Sequence, residues 1–327
     1  MDSVWPRLHF LISMVLRMFT VRPYAEADAG VWNALIDRSR NGNFLHRRDY
    51  MDYHADRFVD QSLIVERSGD AVAVLPANIR ENVVTSHGGL TYAGLITTQA
   101  LRAESTLAIF EQVGNHYRAL GVERVLYKAI PHVFRAYPAE EDLYALHLLG
   151  AQLSRRDLSS VIALQEKFQY TQGRRHSIDK ARKADIRCQV GTSLKGFHAL
   201  LSQVLGRHDA LPTHSLHELR LLQSRFPRQI VLHEARRDDA LLAGVLVYDF
   251  GKVVHTQYMA ASQEGRQLDA LSLLLAELIG DVYADRAYFS FGISTEQEGR
   301  VLNRGLVAQK EYFGARAIVH DFYEWLL

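Results

Sequence analysis

The stretch GAQLSRRDL at residues 150–158 returns as GARAIVHDF at residues 314–322. Each reads Gly-Ala, five residues, Asp, then a large apolar residue. Nine residues prove nothing alone, so the test is whether their surroundings repeat as well. Ahead of Gly150 runs PAEEDLYALHLLG, a helix opened by proline and acids; ahead of Gly314 runs LNRGLVAQKEYFG, again a helix. Further back lie the buried strands RVLYKAI and AYFSFGI, and behind them two amphipathic helices. These are ESTLAIFEQVGNHYRALG, closed by Gly121, and RQLDALSLLLAELIGDVYAD. The offset of 164 residues (314 − 150) lays RVLYKA on YFSFGI and Gly121 on Asp285.

The match extends to the start of each half. SLIVERSGDAVAVLPANI is a hairpin turning at Ser68-Gly69-Asp70, continued by NVVTSHGGL; IVLHEARRDDALLAGVLVYDF is a second hairpin, continued by KVVHTQYMA. FTVRPY reads as a first strand, and WNALIDRSR puts Trp32, Leu35 and Ile36 on one helical face. In the second half SLKGFHALLSQVLGR and HSLHELRLLQSRF are helices. One unit is written twice: helix, antiparallel meander, helix, strand, helix, strand. The repeated stretch is the turn into each unit's closing strand.

With 327 residues, 48% apolar and 23% charged, the chain has the composition of a soluble globular protein with room for two domains. A net charge of +1 offers no global attraction to DNA, tRNA or an anionic membrane, so any such contact needs a local patch. One cysteine, Cys188, excludes an internal disulfide and fits a reducing, cytoplasmic setting. Residues 1–19 are read as a leader or an upstream start; their apolar run is broken by His9 and Arg17, and no segment is long enough to span a membrane. Walker, G-x-S-x-G and H-E-x-x-H motifs are absent, which argues against an NTPase, a serine hydrolase of the usual kind and a zinc protease.

A helix-flanked meander followed by helix, strand, helix, strand is the layout of the acyl-CoA N-acyltransferase, or GNAT-like, fold. Two copies in one chain resemble the Fem family of aminoacyl transferases and the related acyltransferases of bacterial surface-polysaccharide gene clusters. FGISTEQEGRVLNRGLVAQKEYFGAR, residues 291–316, is similar to the Fem-type ending, with a strand closing on Phe-Gly, then Gly-Leu, then Lys before Phe-Gly. FLHRRDYMDYHADRF, HGGLTYAG and QYMAASQEG resemble the polysaccharide-associated members. The resemblance implies an α/β (α+β) protein of two tandem GNAT-like units, residues 20–158 and 159–327, each a mixed, mainly antiparallel sheet flanked by helices. It implies an acyltransferase carrying an acyl group, acetyl first, from acyl-CoA to an amine or hydroxyl of a small or lipid-linked sugar acceptor. Fem-type transfer from aminoacyl-tRNA to a peptidoglycan precursor is the alternative. It is disfavoured by the neutral charge and by the lack of a long charged helical hairpin. A GNAT-like binding module without catalysis is a third reading.

Expected site residues follow. The family's phosphate loop reads Gln/Arg, two residues, Gly, one residue, Gly/Ala; SQEGRQLDALS, residues 262–272, matches it with small residues in place of both glycines. Gly265, Arg266, Gln267 and Ala270 are therefore the cofactor candidates, and Asp269 is expected to repel a phosphate there. The first half has QALRAES at this place, so a single cofactor site is expected in the second unit. Amide formation needs a base and a proton donor. Glu296 after the strand AYFSFGI is the first candidate base, against a role as a capping acid; His208 is the second, since histidine titrates near neutrality. Tyr258 is placed to protonate a thiolate, against a plain core aromatic. Lys310 matches the family's lysine before Phe-Gly and is read as a phosphate ligand. His214, with His208, Asp209 and His217, lies on a loop expected to line a cleft; the spacing fits no zinc pattern, so no metal is expected. Arg174, Arg175 and Lys180, in the basic segment GRRHSIDKARKADIR, are read as a wall for acceptor phosphates, against a solvated face. His87 and Tyr92 in HGGLTYAG are read as polar handles on a glycine-rich strand end, against a simple bulge.

Overall fold

The computed structural model describes residues 18–327; the leader read at residues 1–19 falls almost wholly outside the described residues. In chain order the main elements of the first half are β1 (Thr20–Pro23), α1 (Ala29–Asp37), β2 (Leu63–Arg67), β3 (Asp70–Leu75), β4 (Asn78–Arg80), β5 (Val83–Thr85), β6 (Ile96–Thr97), α2 (Ala103–Ala119), β7 (Arg124–Lys128), α3 (Glu141–Leu148) and β8 (Gln152–Ala163). The second half continues with α4 (Gln172–Arg182), β9 (Arg187–Val190), α5 (Leu194–Leu205), α6 (Leu216–Arg225), β10 (Ile230–Arg237), β11 (Ala240–Asp249), β12 (Val253–Ala261), α7 (Gln263–Gln267), α8 (Ala270–Glu277), β13 (Tyr288–Ile293), α9 (Arg304–Glu311) and β14 (Arg316–Leu326).

The repeat is real at the level of backbone geometry. Gly150 and Gly314 follow α3 and α9 with φ of +76° and +84°, the left-handed region that glycine enters without a steric cost. Both turns close with the same pair of bonds: Gly150 N–H to His147 O and Ala151 N–H to Leu146 O, then Gly314 N–H to Glu311 O and Ala315 N–H to Lys310 O. These are the reverse hydrogen bonds that satisfy the last carbonyls of a helix.

The chain forms two compact units, one holding the described residues up to Arg156 together with His320–Leu327, the other Asp157–Val319. A boundary drawn at 158/159 therefore misses an exchange of closing strands. Residues Phe322–Leu326 of β14 pair antiparallel with Lys128–Arg124 of β7 in the first unit, and Ser159–Ala163 of β8 pair with β13 in the second. Trp325 explains why the exchange is favourable. It is 2% exposed in the first unit's core with Phe110, Val113 and Tyr127. Its ring lies so close to Gly114 on α2 that a Cβ there would sit 2.9 Å from Cζ2.

In the second unit the sheet runs β9-β10-β11-β12-β13-β8, antiparallel except for the parallel pair β12–β13. In the first unit β14-β7-β5-β4 form one sheet, with β5 parallel to β7, and β1-β2-β3-β6 a second. The hydrophobic cores lie between these sheets and the helices that follow the meanders. Phe110 and Val113 of α2 contribute on one side, and Ala270, Leu274 and Leu278 with Val245, Val254 and Phe289 on the other.

Two outcomes are expected. Trp325→Ala should cost about 3–5 kcal/mol, and hydrogen exchange should show protection lost in α2 and β7 rather than in α8. His46 and His87 in the first unit are buried, and burial pushes them down to about 4 and about 3. Both stay neutral when folded but take protons near pH 6.5 when unfolded. Stability should therefore fall as pH drops from about 6.5 toward 4, by up to about 1.4 kcal/mol per pH unit for each histidine. Urea titrations at pH 7, 6 and 5, repeated with His87→Gln, measure that slope.

Candidate functional site

The second unit opens where β12 and β13 part. They pair in parallel only through Val253–His255 and Tyr288–Ser290. Each then carries an irregularity toward its other neighbour. The β11–β12 register jumps so that Leu246 faces Tyr258 and Val247 faces Thr256, leaving Gln257 as the extra residue; β13 against β8 slips between Ser290 and Gly292. A bulge bends its strand and increases its twist, so two bulges at one level pull the strands apart. At the apex the Thr256 hydroxyl lies 3.4 Å from Ser290 O, and His255 Nδ1 lies 3.1 Å from Ser290 Oγ. Beyond it a cavity of about 80 Å³ opens between Met259 of β12, Phe291 of β13, and the facing helices α8 and α9. Leu271, Ser272 and Leu275 line it from α8, Leu306 and Gln309 from α9.

Lys310 keeps this opening in shape. Its Nζ donates to Gly292 O at 2.8 Å, Ile293 O at 2.7 Å and Ser294 Oγ at 2.8 Å. Gly292 has φ +75°, and these bonds satisfy the carbonyls that the distorted end of β13 turns inward. The ammonium is 3% exposed, and burial pushes it down to about 8. All three of its donors are used within the protein, so the reading of Lys310 as a substrate-phosphate ligand gives way to a structural one. Lys310→Met should leave these acceptors buried without a donor and cost about 2–4 kcal/mol, read as a lowered denaturation midpoint.

The expected phosphate loop is built differently from the family pattern. The helix anticipated from Gln267 is instead two pieces, α7 and α8, broken at Asp269, which adopts φ +58°. Gly265 is buried, and a Cβ on it would lie 2.0 Å from Leu242 O, so its absent side chain serves the close approach to β11. Its N–H is already capped by the Ser262 hydroxyl at 2.9 Å. Arg266 and Gln267 are exposed, and Ala270 is fully buried in the core. Asp269 is not a bare repelling charge, because Lys180 binds its carboxylate at 2.9 Å and Gln267 O at 2.6 Å.

The basic segment forms α4, whose apolar side (Ile178, Ala181) packs on Leu273 and Ala276 of α8. Arg174 and Lys180 are thereby directed to the α7–α8 loop and the slot, not to a separate acceptor wall. Arg174 donates to the Ser272 hydroxyl, stacks over Phe313 at 4.4 Å and lines the cavity. Arg175 is exposed and donates to Tyr170 O.

Tyr258 and His214 do come together. His214 is 5% exposed, and its Nδ1 lies 2.7 Å from the Tyr258 oxygen, which also accepts the His214 N–H at 3.3 Å. Burial holds the phenol above its ordinary range, so it stays protonated at neutral pH. Glu296 is exposed on a short hairpin and accepts from Asn303 Nδ2 at 2.7 Å; Asn303 in turn caps α9. The capping role thus describes Glu296 better than the base role. His208 lies in the turn Gly206–His208, and its side chain is outside the described residues. The residue missed by sequence reasoning is His255, at the apex of the parting strands. Its signal was the run HTQY just before the loop, visible only once the bulge is known.

In the first unit the corresponding opening is filled. Strands β5 and β7 also pair in parallel and then part, but residues 86–95 fold into the gap. Lys128, pushed down to about 7 by burial, holds His87 O at 3.2 Å and Leu90 O, while Tyr92 packs on Phe134 at 4.7 Å. His87 and Tyr92 are 6% and 3% exposed, so the proposed handles are the plug itself. Gly94, with φ +140° and Tyr127 Oη 2.6 Å from its notional Cβ, permits that fit.

Comparison with known proteins agrees with this geometry. Residues 169–299 match the family model described as the acetyltransferase (GNAT) domain. FemX superposes with a TM-score of 0.66 at 12% identity, over 94% of this chain and 97% of its own. L-PGS from Bacillus licheniformis gives 0.59 at 12%, over 93% of each chain. A tandem GNAT protein from the clavulanic acid biosynthesis pathway gives 0.50 at 10%, over 94% of this chain and 98% of its own. No curated protein matches the sequence. The fold is therefore that of tandem GNAT proteins, α+β with mixed sheets over the full length, and the stretch that matches the acetyltransferase (GNAT) domain model lies in the second unit. Among the described residues no helix is long and apolar enough to cross a membrane, and no three His, Cys, Asp or Glu side chains cluster as metal ligands.

Proposed function

We propose that the chain is an acyltransferase that carries an acyl group, acetyl first, from acyl-CoA to an amine or hydroxyl of a sugar precursor of a surface polysaccharide. The observation that carries this reading is the parting of β12 and β13 in the segment that matches the GNAT domain model; on the same stretch of β12 a neutral phenol, Tyr258, is held by His214. The nucleophile attacks the thioester carbonyl, the new C–N or C–O bond forms, and the C–S bond breaks. The proton leaving the nucleophile balances the one the thiolate takes up. Tyr258 donates its proton to the departing sulfur, the proton lost by the nucleophile restores the phenol, and His214, at 2.7 Å, holds the phenol oxygen in place. The exposed Arg175 on α4 remains for acceptor phosphates.

One observation favours the alternative, a Fem-type aminoacyl donor. The slot of about 80 Å³ is far below the roughly 300 Å³ of an ordinary ligand pocket, and Arg174 crosses it. The two readings separate in one experiment. The chain is incubated with acetyl-CoA and a panel of amino and hydroxyl nucleotide sugars, and thiol release and product mass are followed. Acetyl transfer is expected, and Tyr258→Phe should lower kcat about 100-fold without moving the denaturation midpoint by more than about 1–2 kcal/mol. Absence of both acetyl-CoA binding and thiol release would transfer the case to the aminoacyl donor.

A further inference from the structure

The narrowness of the slot has an identifiable cause. The Arg174 side chain reaches from α4 to the Ser272 hydroxyl on the first turn of α8 and lies over the Phe313 ring, in the turn that follows α9. A single side chain thus ties the two helices that flank the opening. Its partners are poor ones for a cation. A hydroxyl and a ring face carry no net charge, the buried Nε has no hydrogen-bond partner, and no carboxylate among the described residues pairs with the guanidinium. Asp269 lies close enough to be felt, but its carboxylate is held by Lys180. A half-buried guanidinium in this state gains from any anion that reaches it, and its planar fork suits a phosphate.

We propose that Arg174 is a latch on the donor slot, exchanged for the phosphates of the donor. Closed, it holds Ser272 and Phe313. Open, its guanidinium pairs with the diphosphate of an acyl-CoA while the thioester arm enters the volume it leaves. The latch makes the slot selective: displacing it costs the same for any thioester, and only a phosphate-bearing donor supplies a new partner. This inference rests on the acyl-CoA reading above.

Calorimetric titration of the full chain with acetyl-CoA and with S-acetylpantetheine, which lacks the diphosphate, tests it. The cost of opening cancels in the ratio of the two dissociation constants. For the wild type, acetyl-CoA should bind tighter. Arg174→Ala should shrink that preference about ten-fold or more, the equivalent of one charge-assisted hydrogen bond, and S-acetylpantetheine itself should bind more tightly than it does to the wild type. Arg174→Gln keeps a donor for Ser272 and much of the volume, and covers the case in which the alanine variant fails to fold. It should lose the preference without the gain for S-acetylpantetheine. An unchanged ratio in both variants would overturn the latch and leave the acyl-CoA reading standing. A wild type that binds neither thioester would overturn that reading, and the latch with it.

Discussion

The parting of β12 from β13 is the constraint on which the second unit's opening depends. A parallel pair has no reason to separate after three residues unless something interrupts its ladders. Here the interruption is double, Gln257 on one strand and the Ser290–Gly292 slip on the other. Opened strands leave carbonyls unsatisfied, and those of Gly292 and Ile293 are turned toward protein, where water cannot serve them. Lys310 resolves this by placing an ammonium inside the unit, at the cost of its own desolvation. The slot between β12, β13 and the facing helices follows from that arrangement.

The same structural problem is solved in the opposite way in the first unit. Its parallel pair also parts, but the chain fills the gap with its own residues 86–95 and closes it with Lys128. Both lysines are buried, both donate to backbone carbonyls near the end of the corresponding strand, and burial lowers both. One unit keeps an opening and the other a plug, so the two copies of one fold differ in what occupies the gap. The polar handles read in HGGLTYAG are parts of the plug, buried where the strands part.

The basic segment illustrates how charge is redirected by packing. As a string, Arg174, Arg175 and Lys180 look like one wall. On a helix only some of them share a face, and the burial of Ile178 and Ala181 against α8 decides which. Lys180 then neutralises Asp269, Arg174 crosses the slot, and Arg175 stays in solvent. Asp269 itself changes meaning: the residue that looked like a repelling charge in a helix is the left-handed joint between two helices, already paired.

The sequence by itself determined the repeat and the fold class. Local rules were enough for these: glycine at φ above zero after a helix, alternation in strands, and a period of 3.6 in the helices that cover them. Gly150 and Gly314, and the helices before them, are legible because neighbouring residues along the chain fix their geometry. Partnerships between distant residues were decided only in the tertiary structure. The exchange of closing strands depends on where Trp325 finds a cavity, and no local signal encodes that. Tyr258 and His214 meet because α5 and α6 lay their connecting loop over a bulged strand. Glu296 leaves the chemistry because Asn303 needs a partner, and Lys310 because carbonyls of a distorted strand end need a donor. For Tyr258, Glu296 and Lys310 the residue type was noticed in the sequence, and its role was set by the partner that the fold brought to it.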